Sequence, residues 1–472
     1  MRGAILATLG ASLSLDDVKE AVGGRLVSGR PGVSVTGVSI DSRSVAAGEL
    51  FVAIAGPRFD GHDFVAAAAR QGAVAALVHR DVEAPADVAL VRVADTTRAL
   101  ADLARHVRRT AAVPVACITG STGKTTTKDM TASLLASRGP VLKTEGNLNN
   151  QYGLPLTLVR LAPEHWSAVL ELGMSAPGEL RGLSAIAEPD IAVITNVGPA
   201  HLEFFPSVDA IAEAKAEILE GLRPGGVAVL NAEDPRVRRI GERSGREVLW
   251  FGRDRRHDVS AENWRGSIAG MRFDLRLGGQ TVDVALPLAG PHYAMSFLAA
   301  AAVAHRLGIE AEAIAEAASR IVAAPHRGQV VQCDQGVTIL DDCYNANPDA
   351  VEAAVVALGL AVGRRRVAFL GDMLELGDQG PRLHRESGEG LAGRVDAVVG
   401  VGPLSQSLLE GARARGMAEG ALHHFPDSTA AAGVVAELAE AGDAILVKGS
   451  RGMRMERIVE ALLARFGRAE TR

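Results

Sequence analysis

The chemistry written in this sequence is densest at Gly120-Ser121-Thr122-Gly123-Lys124-Thr125-Thr126-Thr127, where an apolar run from Val115 to Thr119 breaks into glycines and a helical pattern follows. A strand, a glycine turn and a helix start bring backbone N–H groups and the positive end of a helix dipole to one point, which suits a polyphosphate. Lys124 is then the counter-charge for β/γ-phosphate oxygens, and the Thr125 hydroxyl is a ligand for Mg²⁺. The loop is a shortened one: two residues separate Gly120 from Gly123 where four are usual, and Ile118 stands where the earlier glycine would be. A tight strand-to-helix turn with a surface lysine is the bland alternative, but Gly-Lys-Thr directly after a strand favours phosphate.

Other reactive side chains fall at comparable places. Glu171 sits in the apolar stretch Leu170-Glu171-Leu172-Gly173, and His201 follows the run Ile191 to Gly198. In a parallel sheet both reach the carboxyl ends of strands, the edge where ligands bind. They could share a metal; Mg²⁺ prefers oxygen, so Glu171 is its natural ligand and His201 the odd one. A hydrogen-bonded loop residue remains the simpler reading of an isolated histidine. Lys215 lies in Glu213-Ala-Lys-Ala-Glu-Ile218, a helical pattern in which a solvated lysine is the default.

The elements that must position these groups alternate between helix and strand nearly throughout, as in α/β layers around mostly parallel sheets. Buried strands are expected at Val115 to Gly120, Ala168 to Gly173, Ile191 to Gly198 and Gly226 to Leu230, and again at Val367 to Gly371, Ala397 to Gly402 and Ala444 to Gly449. A polar, arginine-rich stretch from Arg243 to Arg272 and an alanine-rich helical one from Ala294 to Ala324 separate the two series, so two sheets are expected. The first ~95 residues read as a smaller α/β module, with strand-like pieces at Val33 to Ile40 and Leu50 to Ile54 and a helix from Phe64 to Gln71. Boundaries are placed near Asp95 and Pro325.

With 472 residues, 47% hydrophobic and 22% charged, the chain fits an ordinary globular protein of two to three domains. Its three cysteines, Cys117, Cys333 and Cys343, form no C-x-x-C pair and suit a reducing compartment. A net charge of −6 without a Lys/Arg run argues against nucleic acid as a partner. The opening MRGAILATLGASLSL loosely imitates a secretory signal, yet it flows into Leu15-Asp16-Asp17-Val18, where Ser14 can cap a helix. No stretch has the ~20 uninterrupted apolar residues of a membrane span. A cytoplasmic protein with no membrane span is expected.

The loop GSTGKTTTK resembles that of the Mur ligase family. Four further stretches agree along almost the whole chain: Glu145-Gly-Asn-Leu-Asn-Asn150 with Gly153-Leu-Pro155, Leu340-Asp-Asp-Cys-Tyr-Asn-Ala-Asn-Pro348, Leu370-Gly-Asp-Met-Leu-Glu-Leu-Gly377 and Val447-Lys-Gly-Ser-Arg-Gly-Met-Arg-Met-Glu456. The second is the most specific and points to the member that adds a D-alanyl-D-alanine dipeptide. The resemblance implies an α/β protein of three domains: residues 1–95 for the UDP end of UDP-N-acetylmuramoyl-tripeptide, a central P-loop-type ATPase domain at 96–325, and a Rossmann-like domain at 326–472 for the dipeptide.

It also implies roles. Gly120, Ser121, Thr122, Gly123, Lys124, Thr125 and Thr126 would hold ATP phosphates. Glu171 and His201 would join Thr125 as Mg²⁺ ligands, and Lys215 would carry a carbamate whose oxygens face the metal. His292 resembles the adenine-side histidine, but Ser296 stands where relatives have asparagine, so a single hydroxyl replaces an amide that both donates and accepts. Arg327 resembles the arginine that reaches ATP from the hinge, and Asp342 the carboxylate that holds the ribose. Asp41, Ser42, Arg43 and the segment Phe51 to His62 resemble the nucleotide-sugar module, and Asn147 and Asn150 would also meet substrate. Tyr344, Asn345, Asn347, Lys448 and Arg451 would meet the dipeptide. Ser175 and Phe204-Phe205-Pro206 depart from the family pattern without removing a proposed ligand. The implied activity is ATP-dependent amide formation through an acyl phosphate; a monomer is expected, although no residue pattern sets the oligomeric state. Another amide ligase of the same superfamily, including a folylpolyglutamate synthase, or a regulatory P-loop ATPase is the competing reading.

Overall fold

The computed structural model describes residues 7–469. By compactness the chain forms two units, one of residues up to 119 with 135–193 and 214–228, the other of 120–134, 194–213 and 229–472. The start of the signal-like opening therefore lies outside the described residues. Among the described residues no helix is long and apolar enough to cross a membrane, and all three cysteines are buried and unpaired.

The first unit opens with six strands: β1 (Ala7–Ser14), β2 (Arg25–Ser28), β3 (Ser34–Ser39), β4 (Glu49–Val52), β5 (Ala75–Val78) and β6 (Ala89–Arg92), in the order β1-β3-β4-β5-β6-β2. The strands β3 to β6 are parallel, and β1 and β2 close the edges antiparallel. Ser14 ends β1 and caps the helix Leu15–Val22 through a capping box with Asp17, as its position in the sequence implies. Asp95, near the expected boundary, caps the helix Thr96–Ala111 by accepting from the Thr97 and Arg98 amides.

The same unit holds β7 (Val115–Thr119), β8 (Val141–Lys143), β9 (Ser167–Glu171) and most of β10 (Ile191–Ile194), in the order β10-β7-β9-β8. Every residue of β7, β9 and β10 is buried, which is what parallel strands covered on both faces require and why they read as continuous apolar runs. One buried arginine pins this arrangement. Arg108, with 1% of its side chain exposed, donates to the carbonyls of Ala187, Val113 and Glu188 and to Asp190 Oδ2 at 2.8 Å. Asp190 Oδ2 in turn accepts from the Val115 amide at 2.9 Å, so the start of β7 is fixed by a side chain five residues before the strand's lead-in at Val113.

The second unit carries most of β11 (Val227–Asn231), then β12 (Glu247–Gly252), β13 (Val259–Ser267), β14 (Gly270–Leu277) and β15 (Gln280–Leu286), in the order β15-β14-β13-β12-β11. Here the sequence reading needs correction. The arginine-rich stretch from Arg243 to Arg272 is no polar spacer but holds β12, β13 and the start of β14; β12 and β13 pair parallel, and β13, β14 and β15 pair antiparallel. Met271, Phe273, Leu275 and Leu277 of β14 point inward while Arg272, Asp274 and Arg276 alternate with them. Arg272 pairs with Asp283 on the next strand. Half-solvated strands look polar on average; only their period of two reveals them.

A further sheet in this unit contains β16 (Gln329–Gln332), β17 (Thr338–Asp341), β18 (Arg365–Gly371), β19 (Ala397–Val401), β20 (Leu422–Phe425) and β21 (Asp443–Lys448), ordered β16-β17-β21-β18-β19-β20. All its pairs but β16–β17 are parallel. Ile339, Phe369, Val399, Ile445 and Val447 form its core with Ile458 and Leu462 of the helix Glu456–Phe466. Pro325 lies between the helix Ala311–Ala318 and β16.

Arg108→Ala should lower stability by roughly 3–5 kcal/mol, since it strands three buried carbonyls and the inner oxygen of Asp190. Urea unfolding measures this, and a shift below about 1 kcal/mol would show that the network is dispensable.

Candidate active site

Within the second unit the glycine loop is seated on the segment that follows β10. Gly120 has φ 154° and Gly123 φ 77°, and a Cβ on Gly120 would lie 1.8 Å from Thr195 Oγ1, so no side chain fits there. The Ser121 and Thr122 amides donate to the carbonyl and side-chain oxygens of Asn196 at 3.0 and 2.8 Å. Thr195 Oγ1 donates to the Thr122 carbonyl at 2.6 Å, and the Ser121 hydroxyl both donates to the Gly198 carbonyl and accepts from its amide. Asn231 at the end of β11 steadies Thr195 from behind, and Asp234 Oδ2 accepts from the Val197 amide while its other oxygen caps the helix Pro235–Arg243. The helix Lys124–Leu135 begins directly after Gly123, with Lys124 Nζ 2.8 Å from the Gly120 carbonyl.

Thr195, Asn196, Asn231 and Asp234 escaped the sequence reading. The rule that singled out Glu171, a polar residue at the carboxyl end of a buried strand, applies equally to Thr195 and Asn231 and would have found them.

Beside the loop stands an imidazole with an unmet need. His292 Nδ1, at the start of the helix Pro291–Arg306, is sealed from solvent and has no hydrogen-bond partner among the described residues. Burial first, and the Lys448 charge second, push its pKa down to about 3. Its ring lies against Tyr293 at 4.1 Å. Ser296 is buried one turn further along the same helix, and a Cβ at Gly123 would come within 3.3 Å of its hydroxyl. A buried orphan nitrogen next to a phosphate cradle fits a nucleotide base, because buried polar groups are otherwise almost always paired.

The residues after Pro325 converge on Tyr344. The Arg327 guanidinium lies 3.9 Å from the Tyr344 ring centre and that of Arg451 lies 5.8 Å away. Lys448, far from a solvated loop, ends β21 almost fully buried and pairs with Asp342 at 2.5 Å while donating to the Asn345 carbonyl at 3.1 Å. Burial nevertheless raises the Asp342 carboxyl above the usual range despite that partner. Asn347 caps the helix Pro348–Leu358 through the Ala350 amide, and Asn345 Oδ1 accepts from the Ala346 amide. His326 joins this group by its Nδ1 at 2.8 Å from Asp341 and 3.5 Å from Cys343 Sγ, and its carbonyl accepts from the Tyr344 amide. His201 likewise finds a carboxylate, Glu375, at 2.6 Å.

In the first unit, Glu171 ends β9 and is 4% exposed, with Oε1 accepting from Asn149 Nδ2 at 2.8 Å and its amide donating to Thr144. Asn149 is thus the asparagine that meets Glu171, while Asn150 accepts from the Tyr152 and Gly153 amides. Lys215, in the helix Val208–Ala216, is 1% exposed, which overturns the default of a solvated helix lysine. Two residues on, Glu217 accepts from the Gly178 and Arg181 amides and pins the turn after β9. Asp41 and Arg43 grip each other at 2.6–2.8 Å on an exposed turn that includes Ser42. Asp60 holds buried His62 at 2.6 Å, and that ring accepts from the His79 amide.

A loop so shaped belongs to α/β enzymes that consume a nucleoside triphosphate, and comparison with known proteins narrows the class. The chain matches the Mur ligase family catalytic domain over residues 34–108, the Mur ligase middle domain over 118–304 and the Mur ligase glutamate ligase domain over 326–451. The UDP-N-acetylmuramoyl-tripeptide–D-alanyl-D-alanine ligase of Escherichia coli is 37% identical over 458 residues, 96% of this chain and 98% of its own. A crystal structure of MurF from Acinetobacter baumannii superposes with a TM-score of 0.90 at 34% identity, covering 97% of this chain and all of its own. The MurF ligase from Thermotoga maritima, solved in complex with ADP, gives 0.81 at 32% identity over 90% of this chain and 96% of its own. The chain belongs to the Mur ligase family.

The His292 pKa lies below its ordinary 6.5, so the unfolded chain takes up the proton first. The neutral ring's contribution is complete above about pH 6.5 and is lost as pH falls toward 3. A His292→Asn variant should therefore lose less stability between pH 6 and pH 4 than the native chain in urea titrations; equal losses would contradict the buried Nδ1.

Proposed function

We infer that this chain joins D-alanyl-D-alanine to the terminal carboxylate of UDP-N-acetylmuramoyl-tripeptide, using ATP and releasing ADP and phosphate, in the synthesis of peptidoglycan precursors. The observation that carries this reading is end-to-end likeness, 37% identity across 96% of the chain, to a ligase of that name. Nucleotide use is supported by the seated glycine loop and by ADP in a relative of similar length.

A carboxylate is a poor electrophile, so amide formation needs activation. The substrate carboxylate attacks the γ-phosphorus in line, giving an acyl phosphate and ADP; the dipeptide amine then adds to the acyl carbon and phosphate departs with its bonding electrons. Lys124 draws charge from the transferred group. Ser121 and Thr122 use their amides on Asn196, so it is the positive dipole end of the helix that starts at Lys124 that would face the phosphate. Bound Mg²⁺ would supply Lewis-acid stabilisation, held by the hard oxygens of Thr125 and Glu171 with His201 contributing nitrogen. The depth of Lys215 supports a carbamate there: burial favours the neutral amine, the form that reacts with CO₂, and carboxylation would supply anionic oxygen donors suited to the metal.

Residues 1–95 would take the UDP end, 96–325 the ATP and 326–472 the dipeptide. Arg451, 58% exposed and flanking Tyr344, is better placed to pair with the dipeptide carboxylate than Lys448, which Asp342 already engages. Buried reduced thiols accord with a cytoplasmic site of action.

Phosphate release should require both the UDP-linked tripeptide and D-alanyl-D-alanine, and Lys124→Ala should lower kcat on the order of 100- to 1,000-fold. Turnover without any amine acceptor would point to a regulatory ATPase instead. Lys215→Ala should also lose activity and recover part of it with added formate or acetate; an unaffected variant would remove the carbamate from the mechanism.

A further inference from the structure

His201 and Glu375 come from turns far apart in sequence, and each is a non-glycine residue in the left-handed region, at φ 60° and 63°. Such backbone costs about 1 kcal/mol or more and persists where surroundings over-determine it. Here the two turns are fastened together. The Glu203 amide donates to the Glu375 carbonyl at 3.1 Å, and Gly377, itself at φ 54°, sits where a Cβ would be 3.2 Å from Glu203 Cα. The other end of the histidine's loop is gripped as well, since a Cβ on Gly198 would lie 1.8 Å from Asp349 Oδ2. The result is one short contact, Glu375 Oε2 to His201 Nδ1 at 2.6 Å.

A carboxylate accepts and cannot donate, so in this contact Nδ1 carries the proton. A neutral imidazole held that way has its lone pair on Nε2, at the opposite edge of the ring, and only that nitrogen can then bind a cation or accept a hydrogen bond. The Ser121 hydroxyl of the phosphate loop is bonded to the Gly198 carbonyl and amide, three residues before His201, so the loop that carries the pair's histidine is anchored on the phosphate loop. Both side chains keep some solvent exposure, where an ion pair contributes little stability. Orientation, rather than stability, is what the contact accomplishes.

We propose that Glu375 is a positioning residue for His201, fixing the Nδ1–H tautomer so that Nε2 is the nitrogen presented to the cation at the phosphate site. This rests on the reading of His201 as a group that meets that cation. It adds that His201 is competent only while the turn 375–377 is docked on the turn 201–203, which ties the phosphate chemistry to residues of the dipeptide-side sequence.

The test reads the tautomer directly, in the full-length protein without nucleotide. Long-range ¹H–¹⁵N spectra of ¹⁵N-histidine-labelled protein at pH 8, with the His201 signals identified by their loss in His201→Gln, should show a protonated Nδ1 and an unprotonated Nε2. Glu375→Ala should shift His201 toward the Nε2–H form and raise the Mg²⁺ concentration for half-maximal nucleotide binding in calorimetry by 10- to 100-fold. Glu375→Gln, whose amide oxygen still accepts from Nδ1–H, should retain the tautomer and most of the Mg²⁺ affinity. Glu375→Gly suits the left-handed backbone and so guards against misfolding; it should behave as Glu375→Ala does. An unchanged tautomer in both the Ala and Gly variants, or a Gln variant as impaired as Ala, overturns the proposal. Because the spectra need no substrate, those outcomes stand apart from a failure of the ligase reading, which would appear as phosphate release indifferent to the dipeptide.

Discussion

The structure depends first on the approach of Gly120 to Thr195. A phosphate-binding turn works only if the chain reverses tightly between strand and helix, and the reversal here leaves no room for even a methyl group. Around that contact the loop is locked by Asn196, by the Ser121 hydroxyl and by Thr195 itself, and these in turn lean on Asn231 and Asp234. Catalysis by electrostatics needs dipoles that are already oriented before charge develops. A loop with its shape decided by neighbouring strand ends meets that need without waiting for the ligand.

The second theme is charge held out of water. Arg108, Lys215 and Lys448 are all nearly inaccessible, and so is Glu171. Burying an ion costs several kcal/mol unless partners compensate, so each marks a place where the fold gives up easy stability. Arg108 recovers it structurally, through three carbonyls and Asp190. Lys448 does so through Asp342 and the Asn345 carbonyl. The first holds a strand start, the second holds the end of β21 next to Tyr344, and both keep the chemistry-bearing loops from drifting. His292 represents the complementary case, a sealed polar atom that the protein itself leaves unmet.

Much of this was legible in the residues. Continuous apolar runs bounded by glycine announced the buried parallel strands, and the glycines from Gly120 announced a tight strand-to-helix turn, because those patterns arise from local constraints: burial on both faces, and the backbone freedom of glycine. The ribbon β13 to β15 was illegible as structure because its outward arginines dominated the average polarity and hid the inward Met271, Phe273, Leu275 and Leu277. That Asn149 meets Glu171 was not legible either, since which of three asparagines in four residues faces it depends on the path of a loop rather than on composition.

By itself, then, the sequence determined the α/β class, the glycine turn before the helix at Lys124 and the identity of the family, since each follows from residues close together along the chain. The tertiary structure alone decided that Lys215 is buried, that Lys448 is matched to Asp342, that Asn196 shapes the loop and that His201 meets Glu375. Those facts join positions up to 174 residues apart. No local pattern encodes them, because burial and hydrogen-bond pairing are properties of what the rest of the chain brings alongside a residue.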